Sequence, residues 1–105
     1  NVGNSVIFDT IVRVNIRNYR RVVAVVYESR SSSGGNPTPM FLRITSSRGV
    51  GRNSSEAYNL ITVRNEYRFL DLDITDFSGS YYIGGGSNNI SSYLETARFY
   101  KIFLI

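Results

Sequence analysis

Three aspartates have the spacing closest to reactive chemistry in this chain. Asp71 and Asp73 stand two apart in the run from Tyr67 to Thr75, and Asp76 follows directly. On an extended strand, residues two apart share a face and lie about 6 to 7 Å apart, close enough for an acid/base pair or two calcium ligands. Such uses need convergent partners that strand carboxylates rarely have, so Asp71 and Asp73 are read as a solvent-facing acidic row opposite cross-strand arginines, with Asp76 capping a turn. No metal or cofactor site is expected. The chain has neither cysteine nor histidine, which removes the thiolate nucleophile, the imidazole base and the commonest zinc ligands. Serine-triad hydrolysis of the usual kind is excluded. Gly84-Gly85-Gly86 lacks the Gly-Lys-Ser/Thr and the helix start that a phosphate loop requires, and reads as a flexible turn. The chain is expected to be non-catalytic.

The elements that would carry a binding site follow from length and patterning. With 105 residues, residues 1–105 suit one domain with a single core, expected to be a segment of a longer or processed protein because it starts at Asn1 without a leader. No apolar run reaches the ~20 residues of a membrane span, so no membrane partner is expected. The net charge is +4, and eleven arginines stand against the single Lys101. That skew suits partner-facing surfaces, because guanidinium sheds water readily and binds bidentately. Nucleic acid is not an expected partner, since eight acidic residues are interleaved with the basic ones and no recognition motif is present.

Hydrophobic alternation predicts seven strands. Residues 8–17 alternate, with Val12, Val14 and Ile16 on one face, and the β-branched run 22–27 should pair with them as a hairpin. Further strands are expected over 40–45, 57–63, 67–75, 80–83 and about 92–105, separated by Gly-, Pro-, Ser- and Asn-rich breaks. Leu70, Leu72 and Ile74 should face inward, opposite Phe69, Asp71 and Asp73. No helical period competes, so the fold class is all-β, an antiparallel β-sandwich.

If successive strands run antiparallel, the loops 18–21, 46–56 and 75–79 share one end, while 30–39, 64–66 and 84–91 share the other. The first end gathers Tyr19, Arg20, Arg21, Arg48, Arg52, Asn53, Asp76 and Phe77. Aromatic faces beside forked donors suit a sugar, an acidic glycopolymer or a protein. The expected ligand-binding set is Tyr19, Arg20, Arg21, Arg48, Arg52, Asn53 and Phe77.

The segment from Leu70 to Gly86 (LDLDITDFSGSYYIGGG), followed by a Ser/Asn loop and Arg98 to Leu104 (RFYKIFL), resembles the closing strands of β-sandwich domains in tail-associated structural proteins of phages and prophages of Gram-positive bacteria. The resemblance covers about a third of the chain, and the arginine content and the ending at Ile105 depart from it. It implies a jelly-roll-like accessory domain of a virion tail or fibre, in the phage particle or outside the cell. Its partner would be a host-surface glycan or a neighbouring virion protein, with a homo-oligomer expected. It carries over no binding or catalytic residue. Two functions follow as expectations: recognition of host-surface carbohydrate, or assembly through Arg- and Tyr-lined strand faces.

Overall fold

The computed structural model describes residues 4–31, 36–89 and 94–105, and side chains over 7–31, 36–87 and 96–105. Eight strands run in chain order: β1 (Asn4–Asp9), β2 (Val14–Asn15), β3 (Arg21–Arg30), β4 (Thr38–Thr45), β5 (Ala57–Val63), β6 (Glu66–Asp73), β7 (Ser80–Asn89) and β8 (Leu94–Leu104), with one 3-10 turn at Arg52–Ser54. They form two sheets, β1-β7-β4-β5 and β6-β3-β8, with β2 also paired to β7. Every pairing is antiparallel. The chain is an antiparallel β-sandwich of the jelly-roll kind, in which successive strands repeatedly change sheets. Among the described residues, no helix is long and apolar enough to cross a membrane.

The period-2 pattern explains the layers. Val22, Ala24 and Val26 of β3 and Leu70 and Leu72 of β6 turn inward against Met40, Leu42 and Ile44 of β4 and Ile83 of β7, all of them buried. Each of these side chains larger than alanine contributes about 1.5 to 3 kcal/mol on removal from water. The alternate residues of β3 and β6 face outward.

Two expectations about the chain's path are corrected. Residues 8–17 do not form one strand paired with β3. The chain leaves β1 at Thr10, whose N–H donates to the Ile83 carbonyl at 2.8 Å and whose hydroxyl donates to the Val12 carbonyl at 2.8 Å. Ile11 and Val12 are exposed, and β2 resumes against β7, not against β3. The alternation there was real, but a side-chain hydrogen bond within the turn interrupted the strand.

Gly84-Gly85-Gly86 is likewise no turn, since it lies inside β7 between β1 and β4. The cause is close packing across the sheet. A Cβ on Gly84 would sit 2.0 Å from Asp9 Oδ1 and 2.1 Å from the Phe8 carbonyl oxygen, and one on Gly85 would sit 2.5 Å from the Phe41 carbonyl oxygen. The bare backbone leaves room for the Arg43 side chain to reach across Gly84 to Asp9, with Nη2 to Oδ2 at 2.6 Å.

Two buried ion pairs lie among the described residues, one bridging β4 and β1 and the other within β3. Arg43 and Asp9 have side-chain exposures of 0% and 2%, and at the opposite end Arg30 pairs with Glu28 beneath Thr38. The Asn65 N–H donates to Glu28 Oε1 at 2.9 Å, and Asn65, at φ 49, carries the chain from β5 in one sheet to β6 in the other. Burial alone would push the Glu28 carboxyl up. Hydrogen bonds from Arg30, the Asn65 N–H and Thr38 outweigh it and hold the group below its usual range.

Candidate polar groove between the sheets

The loops 18–21, 46–56 and 75–79 do lie at one end. The register fixes this: Arg21 is opposite Asp73, Thr45 is opposite Tyr82, and the Ile74 N–H donates to the Arg20 carbonyl at 2.8 Å. Sharing an end does not bring their side chains together, because 46–56 folds back over the outside of the larger sheet. Arg43 Nη1 donates to the Val50 carbonyl at 2.6 Å, and the Gly49 N–H donates to Asp9 Oδ2 at 2.8 Å. A buried cation and its carboxylate thus anchor the loop from beneath.

That fold-back disperses the expected binding set. Arg48 donates through Nε to the Thr10 carbonyl at 2.9 Å. Arg52 lies over the rings of Phe41, at 5.8 Å, and Tyr58, at 5.2 Å. Asn53 is exposed in the 3-10 turn. Tyr19 sits at the opposite flank, beside Phe8, Val14 and Leu104. Arg20 is exposed at the tip, and Phe77 packs edge-on against Tyr81 at 6.2 Å beside the core. Asp76 is exposed in the same turn.

One member of the set, Arg21, lies in a concave site, with Arg52 at its edge through Tyr58. β5 and β6 are neighbouring margins of the two sheets, and between them opens a groove of about 670 Å³ lined by Arg21, Glu56, Tyr58, Asn59, Asp71 and Asp73 among others. Asn59 Nδ2 donates to the Asp71 carbonyl at 2.7 Å and Arg68 Nη1 to the Thr62 carbonyl at 3.0 Å. The groove floor is therefore stitched across the sheets. Glu56, Tyr58 and Asn59 were not in the expected set, because nothing in a strand's own sequence states that it will form a sheet margin.

The charges in the groove are fixed. Arg21 Nη1 meets Asp71 Oδ1 at 2.9 Å with both side chains about half exposed, at 49% and 46%, and this hydrogen bond raises the arginine's affinity for its proton. Hydrogen bonds from the Thr75 hydroxyl and N–H, the latter at 2.8 Å, hold Asp73 below the ordinary carboxylate range. The Ser46 hydroxyl, donating at 2.8 Å, does the same for Glu56. The acidic row paired with an arginine across the strands, expected for Asp71, is the arrangement found. Among the described residues, no group of three or more acidic, histidine or cysteine side chains could hold a metal ion.

Comparison with protein-family models, curated proteins and solved structures found no match to this chain. The functional reading therefore rests on the geometry of its own surfaces.

Proposed function

We propose that this chain is a non-catalytic carbohydrate-binding module, in the setting that the C-terminal segment suggests: an accessory domain of a phage tail or fibre that engages host-surface glycan. The β5/β6 groove carries this reading. Its carboxylates and the Asn59 carboxamide can accept hydrogen bonds from sugar hydroxyls, and the guanidinium of Arg21 can donate to them. Tyr58 is 43% exposed even with the Arg52 guanidinium over its ring, so it can add an apolar contact to a pyranose.

The same electrostatics argue for binding without hydrolysis. A glycosidase needs one carboxyl whose pKa is raised so that it can protonate the leaving oxygen. Here Asp73 and Glu56 are both held below their ordinary range, and Asp71 is paired with Arg21. Three carboxylates against one arginine in the lining also select the ligand, favouring neutral or amino sugars over an acidic glycopolymer.

Calorimetric titration with neutral and amino-sugar oligosaccharides tests the proposal. Binding in the micromolar to millimolar range is expected, weakened about tenfold by Tyr58→Ala, the loss of one good contact. No heat with any of these sugars at millimolar concentration would sink it. The second reading, assembly by protein contacts, draws on a different surface, the bare outer face of the smaller sheet.

A further inference from the structure

The outward residues of β6-β3-β8 form an ordered grid. Asp71, Val23 and Phe103 share one row, Phe69, Val25 and Lys101 the next, and Tyr67, Tyr27 and Arg98 the third. Phe69 is 71% exposed, Tyr67 62% and Tyr100 51%, so a continuous aromatic and aliphatic surface faces solvent across three strands. A surface of this kind on a small domain marks an interaction site.

Ring geometry narrows the partner. Tyr27 and Tyr67 lie 4.4 Å apart at 34°, Tyr67 and Tyr100 5.7 Å apart at 41°, and Tyr27 and Tyr100 6.2 Å apart at 62°. Rings tilted against one another offer no flat platform for a sugar strip. They do form the packed, preordered aromatic centre found in protein interfaces.

Charge places the partner. The β6 margin of this face carries Asp71 and Asp73, with Arg21 neutralising one of them, while the β8 margin carries Lys101 and Arg98. Aromatic and aliphatic side chains fill the space between. A twofold axis running along β3 exchanges the margins, laying the acidic β6 side of one copy over the basic β8 side of the other. Asp71 and Lys101 are one row apart in the register, about 7 Å along the strands, within reach of the lysine stem. The face is complementary to itself, as a closed dimer requires.

We infer that the outer face of the smaller sheet is a self-association surface that takes a second copy of this chain about a twofold axis along β3. The inference rests on the face of the sheet and not on the groove at its margin, although Asp71 belongs to both, so sugar binding is compared on F69S and Y67S and not on the charge swaps.

Sedimentation velocity from micromolar to near-millimolar concentration tests it. The expected result is a reversible dimer, weakened by salt and weakened at least tenfold by F69S and by Y67S. Phe69 is 71% exposed, so F69S should match the unaltered chain in melting curve and sugar titration, while Y67S, which gives up ring contacts with Tyr27 and Tyr100, should match it in sugar titration. The charge swaps D71K and K101E should each weaken the dimer alone and restore it when mixed, because the mixed pair has two attractive contacts. A monomer throughout the concentration range overturns the inference, as does a dimer indifferent to F69S and Y67S. A mixture of D71K and K101E that fails to pair overturns the twofold arrangement.

Discussion

The chain uses an arginine–aspartate pair twice, in opposite ways. Arg43 and Asp9 meet at 2.6 Å with almost no exposure, whereas Arg21 and Asp71 meet at 2.9 Å with about half of each side chain in water. The first pair also binds the loop above it, through the Val50 and Gly51 carbonyls and the Gly49 N–H. All that polarity is satisfied internally, so the pair is a fastening. The second leaves lone pairs and N–H donors open to a groove, so it can exchange water for a ligand. Burial, more than residue type, separates a structural ion pair from a binding one.

Breaking the buried pair should have the largest effect. Arg43→Ala leaves Asp9 buried without its cation and releases the 46–56 loop. A loss of about 3 to 5 kcal/mol is expected, read by urea unfolding; a loss below about 1 kcal/mol would show that the pair is not the fastening described. Gly84→Ala approaches the same pair from below, and its Cβ would collide with Asp9 Oδ1 and the Phe8 backbone. A destabilisation of about 3 kcal/mol is expected, and a melting temperature equal to that of the unaltered chain would refute the crossing geometry.

Arg21→Ala should reverse the ranking. Stability should fall by less than about 1 kcal/mol because the pair is exposed, while sugar affinity falls about tenfold with the loss of a charged donor. If unfolding shifts and affinity does not, the contrast between the two pairs fails.

Acid gives the smallest and most selective effect. The Glu28 carboxyl is held below its unfolded value of 4.5; the stability it contributes is therefore present above that value and lost as pH falls through the lower folded one. Asp73 and Glu56 are lowered too. Stability and sugar binding should both stay flat from about pH 8 to pH 5 and decline below pH 4.5. A step in sugar affinity near neutral pH, followed by titration, would contradict a groove whose Asp73 and Glu56 carboxyls are held below the ordinary range.

Much of this arrangement is legible in the chain. β5 was expected over 57–63 and is found there, and antiparallel parity alone placed 18–21, 46–56 and 75–79 at one end. Inward and outward residues of β6 follow from its alternation. What parity could not show is the direction a loop takes after it leaves the end. The fold-back of 46–56 depends on Arg43, which stands between Leu42 and Ile44 in β4 and finds its carboxylate in β1. The glycine run misleads for a related reason: Gly84 and Gly85 sit where neighbouring strands leave no room for a Cβ, and composition alone looks the same in a turn. Which strands end up as sheet margins is a property of the whole topology, so the groove and its Tyr58 and Asn59 could not be read from β5 by itself.

The strap formed by 46–56 has a consequence for how many neighbours the particle can hold. A sandwich bare on both broad sides could stack without limit, each copy adding a new sticky surface to the last. With 46–56 drawn over Arg43 and Asp9, part of the outer side of the larger sheet is covered, while Tyr58 and Leu60 stay 43% and 36% exposed on it. If the smaller sheet takes a second copy, as inferred above, this loop narrows what the opposite side can offer to a third.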